Sequence, residues 1–194
     1  LRFDATLPRQ EKIGNVVVHR IGYARAHPSM TDLQKFPLRY LKHAYQLTAA
    51  LTAIRLHHTH HFDGIWAMMA HATAIPAGIF KFFYPQVPYL LTLQEGDPPE
   101  YIEKLAKPVW PLFKRGFVSA DYLQGISSFL IAWGKRMGFM GEAELIPNGA
   151  DTARFAAPTN DRSQVRNELG LSEELILLVS TSRLVHKNAM DDVI

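Results

Sequence analysis

Arg183 and Lys187 stand in one loop, Ser180-Thr-Ser-Arg-Leu-Val-His-Lys-Asn188, between an apolar run and the start of a helical pattern. A guanidinium offers a bidentate fork, an ammonium a point charge and a helix start a partial positive charge, so the three together suit a diphosphate. The same spacing fits a solvated basic loop. A second polar group, Gln94, Glu95 and Asp97 around Gly96, follows the apolar run 87–93. It suits either ligand binding or a turn in which Asp97 caps the next helix. Asn148-Gly149, after Leu145-Ile146-Pro147, is by itself a turn signal. The run His57-His58-Thr59-His60-His61 has histidines dense enough for zinc, but no cysteine or carboxylate accompanies it, and a polar helix end explains it as well.

The elements that must position these groups alternate. Val16-Val17-Val18 reads as a strand, and 38–56 as a helix with Leu38, Leu41, Tyr45 and Thr48 on one side. Residues 63–68 read as a buried strand, and 74–84 as a helix with Pro76 in its first turn. The run 87–93 has the continuous apolar character of a parallel strand covered on both faces. Residues 99–117 are helical but must be kinked or divided by Pro108 and Pro111. A strand at 121–126, a helix at 128–137 capped by Ser127 or Ser128, and a short strand at 143–147 follow. A polar, proline-bearing stretch then suggests a linker. Beyond it come a short helix at 163–169, a strand at 175–179 and a helix starting near 188. The alternation predicts an α/β protein with a Rossmann-like, doubly wound parallel sheet, which binds ligands at the carboxyl ends of its strands.

Ile146-Pro147-Asn148-Gly149-Ala150-Asp151, then Phe155, then Ser182-Arg183-Leu184-Val185-x-Lys187 and Asp191-Asp192-Val193-Ile194 carry a resemblance. The chain resembles the retaining, nucleotide-sugar-dependent glycosyltransferases of family four, which have the GT-B fold. Their signature is I-P-N-G-V-D-x-x-x-F where the chain leaves the first domain and G-R-L-V-x-x-K-G-x-x-x-L-I where the second opens. Asp63-Gly64-Ile65 and Leu91-Thr92-Leu93-Gln94 sit where the family has D-V-I-H and V-x-T-x-H strands. The match runs from about Phe62 to the C-terminus.

The resemblance implies an acceptor-side domain over 1–151, a linker over 152–162 and the opening of a donor-binding domain over 163–194. It implies sugar transfer from a nucleoside-diphosphate donor to an acceptor hydroxyl with retention. Arg183 and Lys187 become the catalytic diphosphate grips, with Gln94, Glu95, Asp97, Asn148 and Gly149 as donor- or acceptor-binding residues. No metal or other cofactor is expected, because the two cations neutralise the leaving group and its phosphate takes the acceptor's proton. Gln94 departs from the family's frequent histidine, and Thr181-Ser182 and Asn188 replace small glycine positions. The family's first strand, glycine-rich loop and paired glutamates have no counterpart in residues 1–194, so the chain is expected to be a fragment, inactive alone. Two other readings stand beside this one: a GT-B sugar-nucleotide epimerase, and a metal-binding or regulatory module built on the 57–61 histidines.

Composition bounds these readings. Of 194 residues, 47% are hydrophobic and 20% charged, which are globular proportions. The absence of cysteine excludes disulfides and thiolate chemistry and is compatible with a cytoplasmic location. A formal charge of +3 is too weak to argue for nucleic acid but suits an anionic ligand or an anionic membrane face. No apolar run approaches the ~20 residues of a membrane span. Lys35, Arg39 and Lys42 beside Phe36, Leu38 and Tyr40, and Lys104, Lys107, Lys114 and Arg115 beside Trp110 and Phe113, could seat a helix on an anionic leaflet or be ordinary solvated faces.

Overall fold

Four parallel strands carry the first unit of the chain. The computed structural model describes residues 4–22, 25–29, 31–32, 35–156, 162–172, 174–182, 188 and 192. The chain divides into two compact units, Leu1–Pro147 and Asn148–Ile194. In the first, β3 (Ile65–Met68), β4 (Tyr89–Leu93), β5 (Tyr122–Gly125) and β6 (Glu142–Leu145) pair in sequence order. Trp66, Leu90, Tyr122 and Glu142 lie opposite one another across the sheet, and Met68, Thr92, Gln124 and Glu144 form the next row. The helices between them are α2 (Ala70–Phe83), α3 (Pro99–Ala106), α4 (Trp110–Val118) and α5 (Ser128–Arg136). The expected α/β parallel sheet is therefore present.

The apolar core lies on one face of that sheet. Ala67, Tyr89, Leu91, Leu93 and Leu123 meet Ala70 and Ala74 of α2, Phe113 and Phe117 of α4, and Leu130 and Trp133 of α5. Gly116 lets α4 approach α2 closely, since a Cβ there would collide with the Ala74 carbonyl. The other face is open among the described residues: Trp66 is 65% exposed, and Met68, Tyr122, Glu142 and Glu144 are exposed too. β4 itself is covered on both sides, as its continuous apolar run predicts, with Thr92 2% exposed and Leu90 half-buried, whereas the expectation of a buried strand at 63–68 fails. The period-two alternation of Tyr-Leu-Gln-Gly in β5 and Glu-Ala-Glu-Leu in β6 is the pattern of half-covered strands. On the open face Trp66 Nε1–H donates to Thr92 Oγ1 (2.8 Å), and the Thr92 hydroxyl donates to Gln124 Oε1 (3.1 Å). That chain ties three strands together.

Two proline expectations come out differently. Pro108 and Pro111 divide their segment as anticipated, with a 3-10 turn at Lys107–Val109 between α3 and α4. Pro76, however, lies inside α2, which begins six residues before it. A proline cannot donate to the carbonyl four residues back. The Tyr45 hydroxyl, from α1 (Leu38–His60), donates to that Ala72 carbonyl instead. The helix survives because its neighbour supplies the missing donor.

Val16-Val17-Val18 also sits elsewhere than in the parallel sheet. It belongs to β2 (Val16–His19), paired antiparallel with β1 (Gln10–Ile13). Gly14, at φ 58°, opens the two-residue turn. Ser127 caps α5, its hydroxyl accepting from the Leu130 N–H at 3.3 Å.

In the second unit, Asp151 Oδ1 accepts the Arg154 N–H at 3.0 Å and starts α6 (Thr152–Ala156), so part of the expected linker is helical. α7 (Arg162–Glu168) holds a buried Arg166, which donates to the carbonyls of Ser172 and Leu175. The strand expected at 175–179 does not form: this segment has no strand partner among the described residues, and Ile176 is 86% exposed. A parallel strand depends on its neighbours' ladder and cover, so apolar composition alone does not create one. The helix expected near 188 lies, apart from Asn188 and Asp192, outside the described residues.

Candidate functional site

The carboxyl ends of β3 and β4 gather the polar groups of the first unit. β3 runs into Met69, whose φ of 67° and ψ of 95° turn the chain sharply into α2. An unbranched residue held outside the ordinary regions at a strand end marks a constrained corner. The turn is fixed by the Met69 N–H, which donates to the Thr92 carbonyl at 2.9 Å. It sets the first N–H groups of α2 and the ring of His71 beside the segment leaving β4.

Glu95 occupies that position. Its side chain is 0% exposed, and His71 Nδ1 lies 4.0 Å from Oε1. Neither carboxylate oxygen has a hydrogen bond of good geometry among the described residues. Burial pushes the Glu95 carboxyl above its usual range, and nearby N–H groups of Glu95, His71, Ala70 and Gln94 offset part of that. Burial also lowers the His71 imidazole, with Asp97 opposing it. Desolvation dominates both groups, so the 4.0 Å approach is a weak pairing rather than a tight salt bridge. A buried carboxyl beside a half-exposed imidazole places two groups that can hydrogen-bond a hydroxyl-bearing ligand at one point.

Gln94 is half-buried at the end of β4, and Asp97 is half-buried two residues beyond Glu95. Asp97 does not cap the next helix: the N-cap of α3 is Pro98, without a side-chain cap. It acts electrostatically on His71. Gly96 is not in the left-handed region, although the chain bends at Gly96 and Asp97 on its way from β4 to α3. Gln94, Glu95 and Asp97 are thus brought to one sheet end. Asn148 and Gly149 belong to the second unit, exposed and outside any helix or strand. Arg183 and Lys187 lie outside the described residues. His71 escaped the sequence reading, although its place three residues beyond β3, at a helix start, was the available signal.

The histidine run is a helix end packed on aromatics. His57 is buried against Phe80 and Tyr84, and its Nδ1 accepts the Phe62 N–H at 3.0 Å. His58 Nε2 shares a 2.9 Å hydrogen bond with the Tyr84 hydroxyl, and His61 caps α1 in the left-handed region. Among the described residues no group of three or more histidines and carboxylates is arranged to hold a metal. The expected basic-aromatic faces change as well. Phe113 is core rather than surface, and the Arg115 guanidinium lies 4.8 Å over the Phe82 ring. The side chains of Leu38, Arg39, Tyr40 and Lys42 lie outside those described. No described helix is long and apolar enough to cross a membrane.

No family model and no curated protein matches the chain. The class defined on structural grounds is accordingly that of an α/β protein with a four-stranded parallel sheet flanked by helices.

Proposed function

We propose that the chain is the acceptor-side domain and the opening of the donor-binding domain of a retaining, GT-B glycosyltransferase, moving sugar from a nucleoside-diphosphate donor to an acceptor hydroxyl. One observation carries the reading: His71, Gln94, Glu95 and Asp97 converge at the carboxyl ends of adjacent parallel strands, where open α/β sheets bind ligands. These groups hydrogen-bond hydroxyls rather than grip phosphate, which suits the acceptor. The motif resemblance across Ile146–Asp151 and Ser182–Lys187 supplies the donor half of the proposal, with Arg183 and Lys187 on the departing diphosphate.

Charge gathers on that diphosphate as the glycosidic bond breaks, so the two contacts strengthen toward the transition state. No metal is called for in this scheme, and contact with an anionic leaflet on the cytoplasmic side remains part of the proposal. The test is transfer from a panel of nucleoside-diphosphate sugars by the full-length protein, scored for anomeric configuration. Arg183→Ala and Lys187→Ala should each lower kcat by roughly 10²–10³ with little change in melting temperature. Arg183→Lys should also be poor, because a point charge does not replace the fork. Near wild-type turnover in both alanine variants rejects the assignment.

A further inference from the structure

A separate cleft opens between the β1–β2 hairpin with its trailing loop and the side of α1. Two adjoining cavities, of about 480 Å³ and about 210 Å³, share Arg9, Ile21, Gly22, Thr52 and Arg55 in their walls. No carboxylate lines either one. Arg9 and Arg55 make no ion pair or side-chain hydrogen bond with the described residues, unlike Arg20, which donates to the Glu11 carboxylate and the Pro8 carbonyl. The Glu11 carboxylate of the same hairpin is therefore already engaged. Nor can Arg55 find a partner along its own helix, because the 23 residues of α1 contain no aspartate or glutamate. Two exposed arginines thus line one cleft without a counter-charge in its walls, an arrangement that an anion complements.

The rest of the wall narrows the chemistry. Thr52 lines both cavities with the arginines, and Gln10, His19 and Arg20 add polar groups to the smaller one, whereas the Thr48 hydroxyl donates to the Tyr45 carbonyl at 2.9 Å. Tyr45 is fixed through its bond to the Ala72 carbonyl, so its ring is a firm wall rather than a gate. Tyr45 and Leu51 line the larger cavity, whose size falls in the small-molecule range of roughly 300–1,000 Å³. We propose that this cleft binds the phosphoryl group of a small anionic ligand, held by Arg9 and Arg55 with help from Thr52, its apolar part resting on Tyr45 and Leu51. A tetrahedral phosphoryl group offers several oxygens to two planar forks and a hydroxyl, which a single carboxylate does not. The site shares no lining residue with the Glu95 cluster and stands whether or not glycosyl transfer is the reaction.

Inorganic phosphate and pyrophosphate titrated into the full chain by calorimetry provide the test. Saturable one-to-one binding is expected, weakened about tenfold or more by Arg9→Ala and by Arg55→Ala, the usual scale for a charge-assisted contact. Thr52→Val should weaken it less, and Lys135→Ala, on α5, should leave it unchanged. Melting curves check that each variant folds, and Arg55→Lys, which keeps the charge and loses the fork, serves if Arg55→Ala does not. A parallel arm uses vesicles containing phosphatidic acid. Arginine-dependent binding to vesicles but not to free phosphate assigns the phosphoryl group to a lipid headgroup, and the reverse assigns it to a soluble ligand. Absence of saturable binding in both arms, or binding that survives both arginine substitutions, overturns the proposal.

Discussion

Two buried ionisable groups lie at opposite ends of the same parallel sheet, and their surroundings differ. At the amino end, Lys81 of α2 is buried and donates to Asp121 Oδ2 at 2.6 Å and to the Val87 carbonyl at 2.8 Å. Asp121 also accepts the Tyr89 N–H at 2.7 Å, so one carboxylate joins α2 to the starts of β4 and β5. At the carboxyl end, Glu95 is equally buried, faces a half-exposed imidazole at 4.0 Å and has no hydrogen bond of good geometry. Buried polar groups are normally satisfied, and the unsatisfied ones are where a ligand has something to add. The satisfied cluster is part of the scaffold, and the unsatisfied one is the candidate site.

Substitutions at the two ends should therefore move different quantities. Lys81→Met keeps the length of the side chain and removes its charge. It strands Asp121 and the Val87 carbonyl, so unfolding free energy should fall by about 3 kcal/mol, the lower end for a broken buried pair. The lower end applies because Asp121 is 41% exposed and water can replace part of what is lost. Urea denaturation measures it. A loss below about 0.5 kcal/mol would remove the distinction between the two ends.

Glu95→Gln should do the reverse. The Glu95 carboxyl holds its proton more tightly folded than unfolded, where its ordinary value is 4.5. As pH rises above 4.5 the unfolded chain releases that proton first, so the native protein loses stability until the folded group has also ionised. Glutamine removes this penalty. The variant should match wild type at low pH and become more stable as pH rises, by on the order of 1 kcal/mol, the usual cost of one unsatisfied buried polar group. If wild type gained relative to the variant over that window, the Glu95 carboxylate would be well paired and structural.

The contrast also shows what could be read from residues alone. Parallel pairing of β3 to β6 followed from alternating apolar runs, and Gln94, Glu95 and Asp97 were found because they follow the most apolar of them. The open face was written in the alternation of β5 and β6, yet the continuous run in β4 dominated the inference. Pro76 misled because its tolerance depends on Tyr45, a residue 31 positions earlier. His71 reaches the site only through the turn at Met69, a backbone conformation that no residue type announces. The segment 175–179 has strand composition without a strand, since pairing partners are not a property of the segment.

Smaller effects sharpen the assignment of the site. Gln94→Ala truncates a half-buried side chain for which no hydrogen bond is seen among the described residues, so stability should change by less than about 0.5 kcal/mol. Turnover in the full-length protein should nevertheless fall. A melting temperature that drops sharply, with activity following it, would make Gln94 a core residue.

His71→Gln should have the least effect on folding. The imidazole is 44% exposed on its side chain, and burial holds its pKa below the ordinary 6.5. Below that pH the unfolded chain takes up the proton more readily, so the native state loses stability as pH falls through the folded pKa and is unpenalised above 6.5. Solvent reaches nearly half the ring, so the loss should be no more than a few tenths of a kcal/mol. Glutamine can still hydrogen-bond to a hydroxyl but does not titrate. Its unfolding free energy should therefore show a slightly flatter dependence on pH below 6.5, with the melting temperature at pH 8 unchanged. If His71 meets the acceptor hydroxyl, the acid limb of the turnover profile should shift or disappear in the variant, while a surface histidine such as His60 would leave that limb in place when replaced. A large destabilisation at pH 8 would instead make His71 part of the scaffold, and the carboxyl end of the sheet would then resemble the amino end after all.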